Sequence, residues 1–150
     1  MKKILKRTLV GLLVVLVGIQ FIPTDTNQQD GIPEIDIRYV YGVPEKVIKV
    51  LETSCYDCHS NNNNYPWYSK VQPVRLLMDK HIREGKKELN FSEFGSYSER
   101  RKRNKMRAIT EQIEKSKMPL PSYLPMHEEA KLSKTDKEIL DNFLNDIRKE

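Results

Sequence analysis

Residues 55–59 read Cys-Tyr-Asp-Cys-His, and they hold both cysteines of the 150-residue chain and one of its three histidines. Two thiols three residues apart, followed at once by an imidazole, suit covalent attachment of a c-type haem. The thiols reach the two vinyl groups on one porphyrin edge, and the imidazole of His59 reaches the iron. On a helix, positions i, i+3 and i+4 share a face, so the spacing predicts that Cys55, Cys58 and His59 point the same way. An iron held by His59 keeps one further axial position. Met118, in the run Lys117-Met118-Pro119-Leu120-Pro121, is the first candidate for it. A loop between two predicted helices can carry a thioether to the far side of the haem, and Met/His ligation raises the reduction potential. His81 and His127 are the alternative metal ligands, and either would give a bis-histidine haem of lower potential. Met78, Met106 and Met126 rank below these.

Three other chemistries use the same residue types. A redox-active dithiol of the thioredoxin kind wants a βαβ pattern nearby, and none is visible. Structural zinc wants four Cys or His ligands, so Cys55, Cys58 and His59 would need His81 or His127 as a fourth, with no second paired motif to supply it. A disulfide between Cys55 and Cys58 would close too short a loop to staple a fold.

The elements that position these residues read as helices. Pro44 is a good first-turn residue, and Val47, Ile48, Leu51 and Cys55 follow at helical spacing, so an apolar face runs into the motif. Asn61 to Asn64 is a run of four asparagines and reads as a turn. Tyr65-Pro66-Trp67-Tyr68 is the densest aromatic cluster, placed to wall a cofactor pocket or to pack in the core. A second helix over 73–87 presents Val74, Leu77, Met78 and Ile82, and a loop follows over 89–97. A third runs from Ser98, a potential N-cap, to 117, with Met106, Ile109 and Ile113 on its face. Six of the eight residues from 100 to 107 are basic, which reads as a solvated face or as a docking surface for an acidic redox partner. The last helix is the clearest: Ser133 with Asp136 resembles a capping box, and Ile139, Leu140, Phe143, Leu144 and Ile147 form a stripe. The fold class is mainly α, with long loops around a cofactor.

The N-terminus has a different composition. Lys2, Lys3, Lys6 and Arg7 precede an apolar run over 9–22, as in an export signal or a membrane anchor. No small-residue cleavage pattern follows; the first alanine is Ala108. The reading is therefore an uncleaved signal-anchor over 1–23, a polar tether over 24–39 and a haem-binding domain over 40–150. The positive-inside rule puts the basic end in the cytoplasm of a bacterium and the domain in the periplasm, or exported outright if the segment is cleaved. The net charge of +5 comes largely from that segment: past it, 22 basic residues face 21 acidic ones, so a nucleic-acid partner is not indicated. The mean hydropathy of −0.65 is low for a core of this size, and a haem would add to it.

The chain resembles c-type cytochromes in general: an attachment motif near the start, a Met-Pro loop late, and a closing amphipathic helix. It is more closely similar to the small bacterial membrane-anchored haem-binding domain family. The resemblance rests on Cys55 to His59 with Ser60 and Asn61, on Tyr65-Pro66-Trp67-Tyr68, on His81 with Gly85, on Leu89-Asn90-Phe91-Ser92, and on Met118-Pro119 with Tyr123 and His127. Asn63-Asn64 stand where a threonine is expected nearby. The resemblance implies a small cytochrome c-like helical domain, one covalent haem c per chain, an exported location, presumed electron transfer, and processing by a cytochrome c maturation machinery. It also implies a proline carbonyl orienting the proximal imidazole, with Pro66 and Pro73 as candidates. The leading expectation is an electron carrier rather than an enzyme, with no catalytic residue, a membrane contact through the anchor and an unidentified redox partner protein. The alternatives are a haem-based sensor or peroxidase-like protein with an open sixth site, and a non-haem dithiol or metal-binding module.

Overall fold

The computed structural model describes residues 1–148, and among these no strand occurs. Seven α-helices follow in order: α1 (Lys2–Ile19), α2 (Ile37–Val40), α3 (Glu45–Ser54), α4 (Tyr56–His59), α5 (Val74–Glu88), α6 (Glu99–Glu114) and α7 (Lys134–Ile147). Short 3-10 turns at Trp67–Lys70, Phe91–Ser96, Leu124–Met126 and Glu128–Ala130 punctuate the connections. The mainly α expectation holds.

The helix ends obey local chemistry. Ser133 accepts from the N–H of Asp136 at 3.1 Å, and the Asp136 carboxylate accepts the Ser133 N–H at 2.9 Å, so the expected capping box is formed. Ser98 caps α6 by accepting from the Arg101 N–H. Pro44 precedes the first turn of α3, where a missing N–H costs nothing. Apolar stripes of α3, α6 and α7 then join in one core, with α7 packed on both α3 and α6: Val47, Ile48 and Leu51, Met106 and Ile113, and Leu140, Leu144 and Ile147. Leu89, Phe91, Phe94 and Tyr97 complete this core from the turn after α5.

Helix α5 departs from expectation. Of its predicted face only Ile82 is buried, while Val74 and Leu77 are exposed. The buried positions are Arg75 and Ile82, continued by Leu89, at intervals of seven residues along one side. Arg75 is taken inside because its head has partners. It pairs with Asp79 at 2.8 Å, donates to the Asp25 carbonyl at 2.6 Å, and lies 4.5 Å above the Tyr65 ring.

The N-terminal expectations need two corrections. No helix among the described residues is long and apolar enough to cross a membrane. At about 1.5 Å per residue α1 spans about 27 Å, short of the roughly 30 Å hydrocarbon core, and its first turns carry four cationic side chains. The expected spanning anchor is therefore not supported. Nor does the stretch after it behave as a loose tether. Gln20 donates to the Gln72 carbonyl at 3.2 Å and accepts its N–H at 3.0 Å. Asn27 donates to Tyr65 and to the Ser60 carbonyl and accepts from Asn63 and Lys86. Residues 25–29 are a strap tied across the segment that follows the motif. Polar composition looks the same in a tether and in a strap; what differs is the partner.

Candidate functional site

The Cys55–His59 motif sits where the chain turns a corner. Helix α3 stops at Ser54, and Cys55 takes φ −132° and ψ −41° before the single turn of α4 begins. The expectation of one continuous helical face is thus corrected: the motif is a separate turn. The Cys55 carbonyl accepts the N–H groups of Cys58 at 3.2 Å and His59 at 3.0 Å. One tight turn therefore keeps both thiols and the imidazole together. Helix α5 presses against it. A Cβ built on Gly85 would lie 2.6 Å from the Cys58 carbonyl oxygen, so only glycine allows this approach.

His59 is oriented from the end of that helix. Its Nδ1 lies 3.0 Å from the Leu89 carbonyl oxygen. A carbonyl only accepts, so Nδ1 carries the proton and Nε2 keeps its lone pair for a metal. The acceptor is the Leu89 carbonyl, not that of Pro66 or Pro73 as expected. Burial pushes the His59 pKa below its ordinary value, which favours the neutral ligand form. The Phe91 ring stands edge-on to the imidazole at 6.3 Å and stacks on Tyr56 at 5.3 Å. Tyr56 in turn donates to Asp36, a buried carboxylate, at 3.1 Å.

Both thiols are free. Burial, helped by the neighbouring Cys58, pushes the Cys55 thiol up to about 12; burial and then Asp57 push Cys58 up to about 11. Thiols held protonated in this way are weak redox nucleophiles. Among the described residues no group of three His, Cys, Asp or Glu side chains is arranged to hold a metal ion.

The candidates for the sixth ligand lie in different surroundings. His127 is engaged at both ring nitrogens: Nε2 with the Tyr68 hydroxyl, and Nδ1 with Glu129 at 3.3 Å. Its ring also stacks on Tyr123 at 3.9 Å. His81 is half-buried on α5, four residues before Gly85 and so on the side that meets α4. Met118 is half-buried in the loop after α6, its N–H donating to the Gln112 carbonyl at 3.3 Å. Met106 is a core residue and Met126 is exposed. The aromatic cluster divides: Tyr65 joins the strap, Tyr68 holds His127, and Trp67 is 75% exposed.

Sequence reasoning missed Asp57 and Leu89 as functional positions. Asp57 accepts the Tyr123 hydroxyl at 2.6 Å and the Asn64 N–H at 3.0 Å. Its place between the two cysteines was the one signal. Leu89 acts through its backbone, and no side-chain pattern marks that. The asparagine run is also more than a turn. Asn61 donates its N–H to Ser92 and accepts from Asn90, which joins the segment after the motif to the turn that carries Phe91.

The residues fit a haem: an imidazole fixed through Nδ1 with Nε2 available, and two protonated thiols on the same turn. The class defined by fold and site is a small helical haem-binding protein. The family model described as Haem-binding domain matches residues 14–146, and the chain belongs to that family. Its cofactor is a haem. No curated protein and no solved structure matches the chain.

Proposed function

We propose that the chain is a monohaem c-type electron carrier working outside the bacterial cytoplasm. Cys55 and Cys58 would hold the haem through thioethers, His59 would be the proximal ligand, and Met118 the sixth. The carrying observation is the His59 Nδ1 contact to Leu89, which leaves Nε2 unprotonated in the neutral ring, on the same turn as two free thiols. A bound haem iron supplies one-electron chemistry. The protein's part is to fix the imidazole, tune it through its hydrogen bond, and keep water from the buried side of the turn with Phe91 and Tyr56. Met118 is favoured over His127 because both His127 nitrogens are occupied. No catalytic residue is assigned.

Export is supported by the attachment motif, since bacteria attach haem c to exported chains, and by the basic-then-apolar N-terminus. The redox partner we infer is an acidic protein surface docking on α6. Arg100, Arg103 and Arg107 are exposed there without an ion-pair partner among the described residues, and Lys105 lies next to them. Lys105 pairs with Glu88, one residue before Leu89.

The test is a pyridine haemochrome spectrum after denaturation and solvent extraction, on protein co-expressed with a cytochrome c maturation system. A c-type spectrum that stays with the polypeptide is expected, and replacing Cys55 and Cys58 with alanine should abolish it. Haem extracted freely from the wild type would sink the covalent reading. Slow or absent carbon monoxide binding to the reduced protein is expected of a carrier; rapid binding would favour an open-site sensor.

A further inference from the structure

The loop between α6 and α7 buries no side chain from residue 114 to residue 129, yet it returns to the attachment turn. Helix α6 ends at Glu114, and two residues later Ser116 takes a left-handed φ of 52°. The Lys117 N–H reaches back to the Gln112 carbonyl at 2.9 Å, and the chain reverses into Met118. Five residues later the Tyr123 hydroxyl donates to Asp57 Oδ2 at 2.6 Å. The other Asp57 oxygen accepts the Asn64 N–H at 3.0 Å. A residue lying between the two cysteines therefore ties the motif to this distal loop. Behind Tyr123 the His127 ring stacks nearly parallel, 8° between planes, and is fixed in turn by Tyr68 and Glu129.

We propose that Asp57 and Tyr123, backed by His127 and Tyr68, form a latch that fastens the 117–127 loop to the attachment turn and so keeps Met118 on the iron. Asp57 and Tyr123 are positioning residues; neither touches the reacting centre. The inference rests on the haem c reading above. Its physical content is leverage. A loop with no buried side chain has little packing to hold it, so one hydrogen bond to a charged acceptor sets much of its closed population. Such bonds are worth roughly 1.5–3 kcal/mol, or about tenfold and upward in an opening equilibrium.

The test uses the full-length holoprotein, its Tyr123→Phe and Asp57→Asn variants, and Met118→Ala as the benchmark for a lost ligand. Tyr123→Phe keeps the ring and its stack and removes only the hydroxyl. Expected are about tenfold faster carbon monoxide binding to the reduced protein, a weaker ferric methionine–haem band, and faster hydrogen exchange confined to 117–127. Asp57→Asn keeps an acceptor oxygen and should change all three in the same direction, by less; it also serves if Tyr123→Phe fails to fold. Wild-type ligand kinetics and band in both variants overturn the latch, and so does faster exchange of the loop with no change at the iron. If Met118→Ala leaves band and kinetics unchanged, Met118 is not held there and the proposal fails at that point. Absence of retained haem overturns the haem c reading and the axial role together, while hydrogen exchange still decides whether Tyr123 fastens the loop.

Discussion

On one side of the attachment turn, Leu89, Phe91, Phe94 and Tyr97 are buried and continuous with the core of α3, α6 and α7. On the other, the loop that carries the 3-10 turns at Leu124–Met126 and Glu128–Ala130 is joined to the turn by the Tyr123 hydroxyl on the Asp57 carboxylate, with the His127 imidazole fixed behind Tyr123 by Tyr68 and Glu129. The two sides hold their neighbours by different physics. Dense apolar packing resists displacement in every direction, and losing any part of it costs cavity energy. A few directional bonds over an exposed loop hold one geometry and release as a unit. His59, the proposed proximal ligand, is held by the first kind. Met118, the proposed sixth ligand, is carried by the second.

This contrast is breakable from either side. The largest stability effect is expected at Phe91, 1% exposed and in contact with both Tyr56 and His59. Phe91→Ala should cost about 3–5 kcal/mol, measured by denaturant unfolding, whereas Tyr123→Phe should act mainly on the loop. Equal losses at the two positions would erase the distinction. Gly85→Ala comes next. Its Cβ would meet the backbone oxygen of Cys58, which has no rotamer to escape into. A loss of about 1–3 kcal/mol and a lower yield of attached haem are expected; wild-type yield would show that α5 and α4 can part without harm.

The smallest expected effect is a pH dependence of the haem-free protein. His59 has its folded-state pKa lowered from 6.5, chiefly by burial. The unfolded chain then binds the proton first as pH falls, so the neutral His59 contributes stability that is fully present above about 6.5 and lost below it. Unfolding measured from pH 8 to 5 should show wild type losing more stability than His59→Gln. Parallel curves would mean that the imidazole is not buried neutral against Leu89.

Much of the architecture was legible because it is local. The capping box at Ser133 and Asp136 and the stripes of α3, α6 and α7 depend on neighbours a few residues apart, and the helices formed within a few residues of where periodicity put them. Helix α5 misled because its buried side contains Arg75, which an apolar count rejects and which Asp79, Tyr65 and the Asp25 carbonyl make acceptable. The apolar N-terminal run invited a spanning anchor, but its composition did not reveal that the helix would end at Ile19, with Gln20 clasping Gln72.

The sequence by itself determined which groups can do chemistry: two thiols and an imidazole at a spacing that one turn must gather, whatever surrounds it. Tertiary structure alone decided how those groups are tuned. The Leu89 carbonyl that sets the His59 tautomer is 30 residues away, and the Tyr123 hydroxyl that reaches Asp57 is 66 away. Backbone acceptors have no side-chain signature, and long-range hydrogen bonds depend on how the helices pack. Spacing can be read along the chain, but partnership is fixed only when the chain closes on itself.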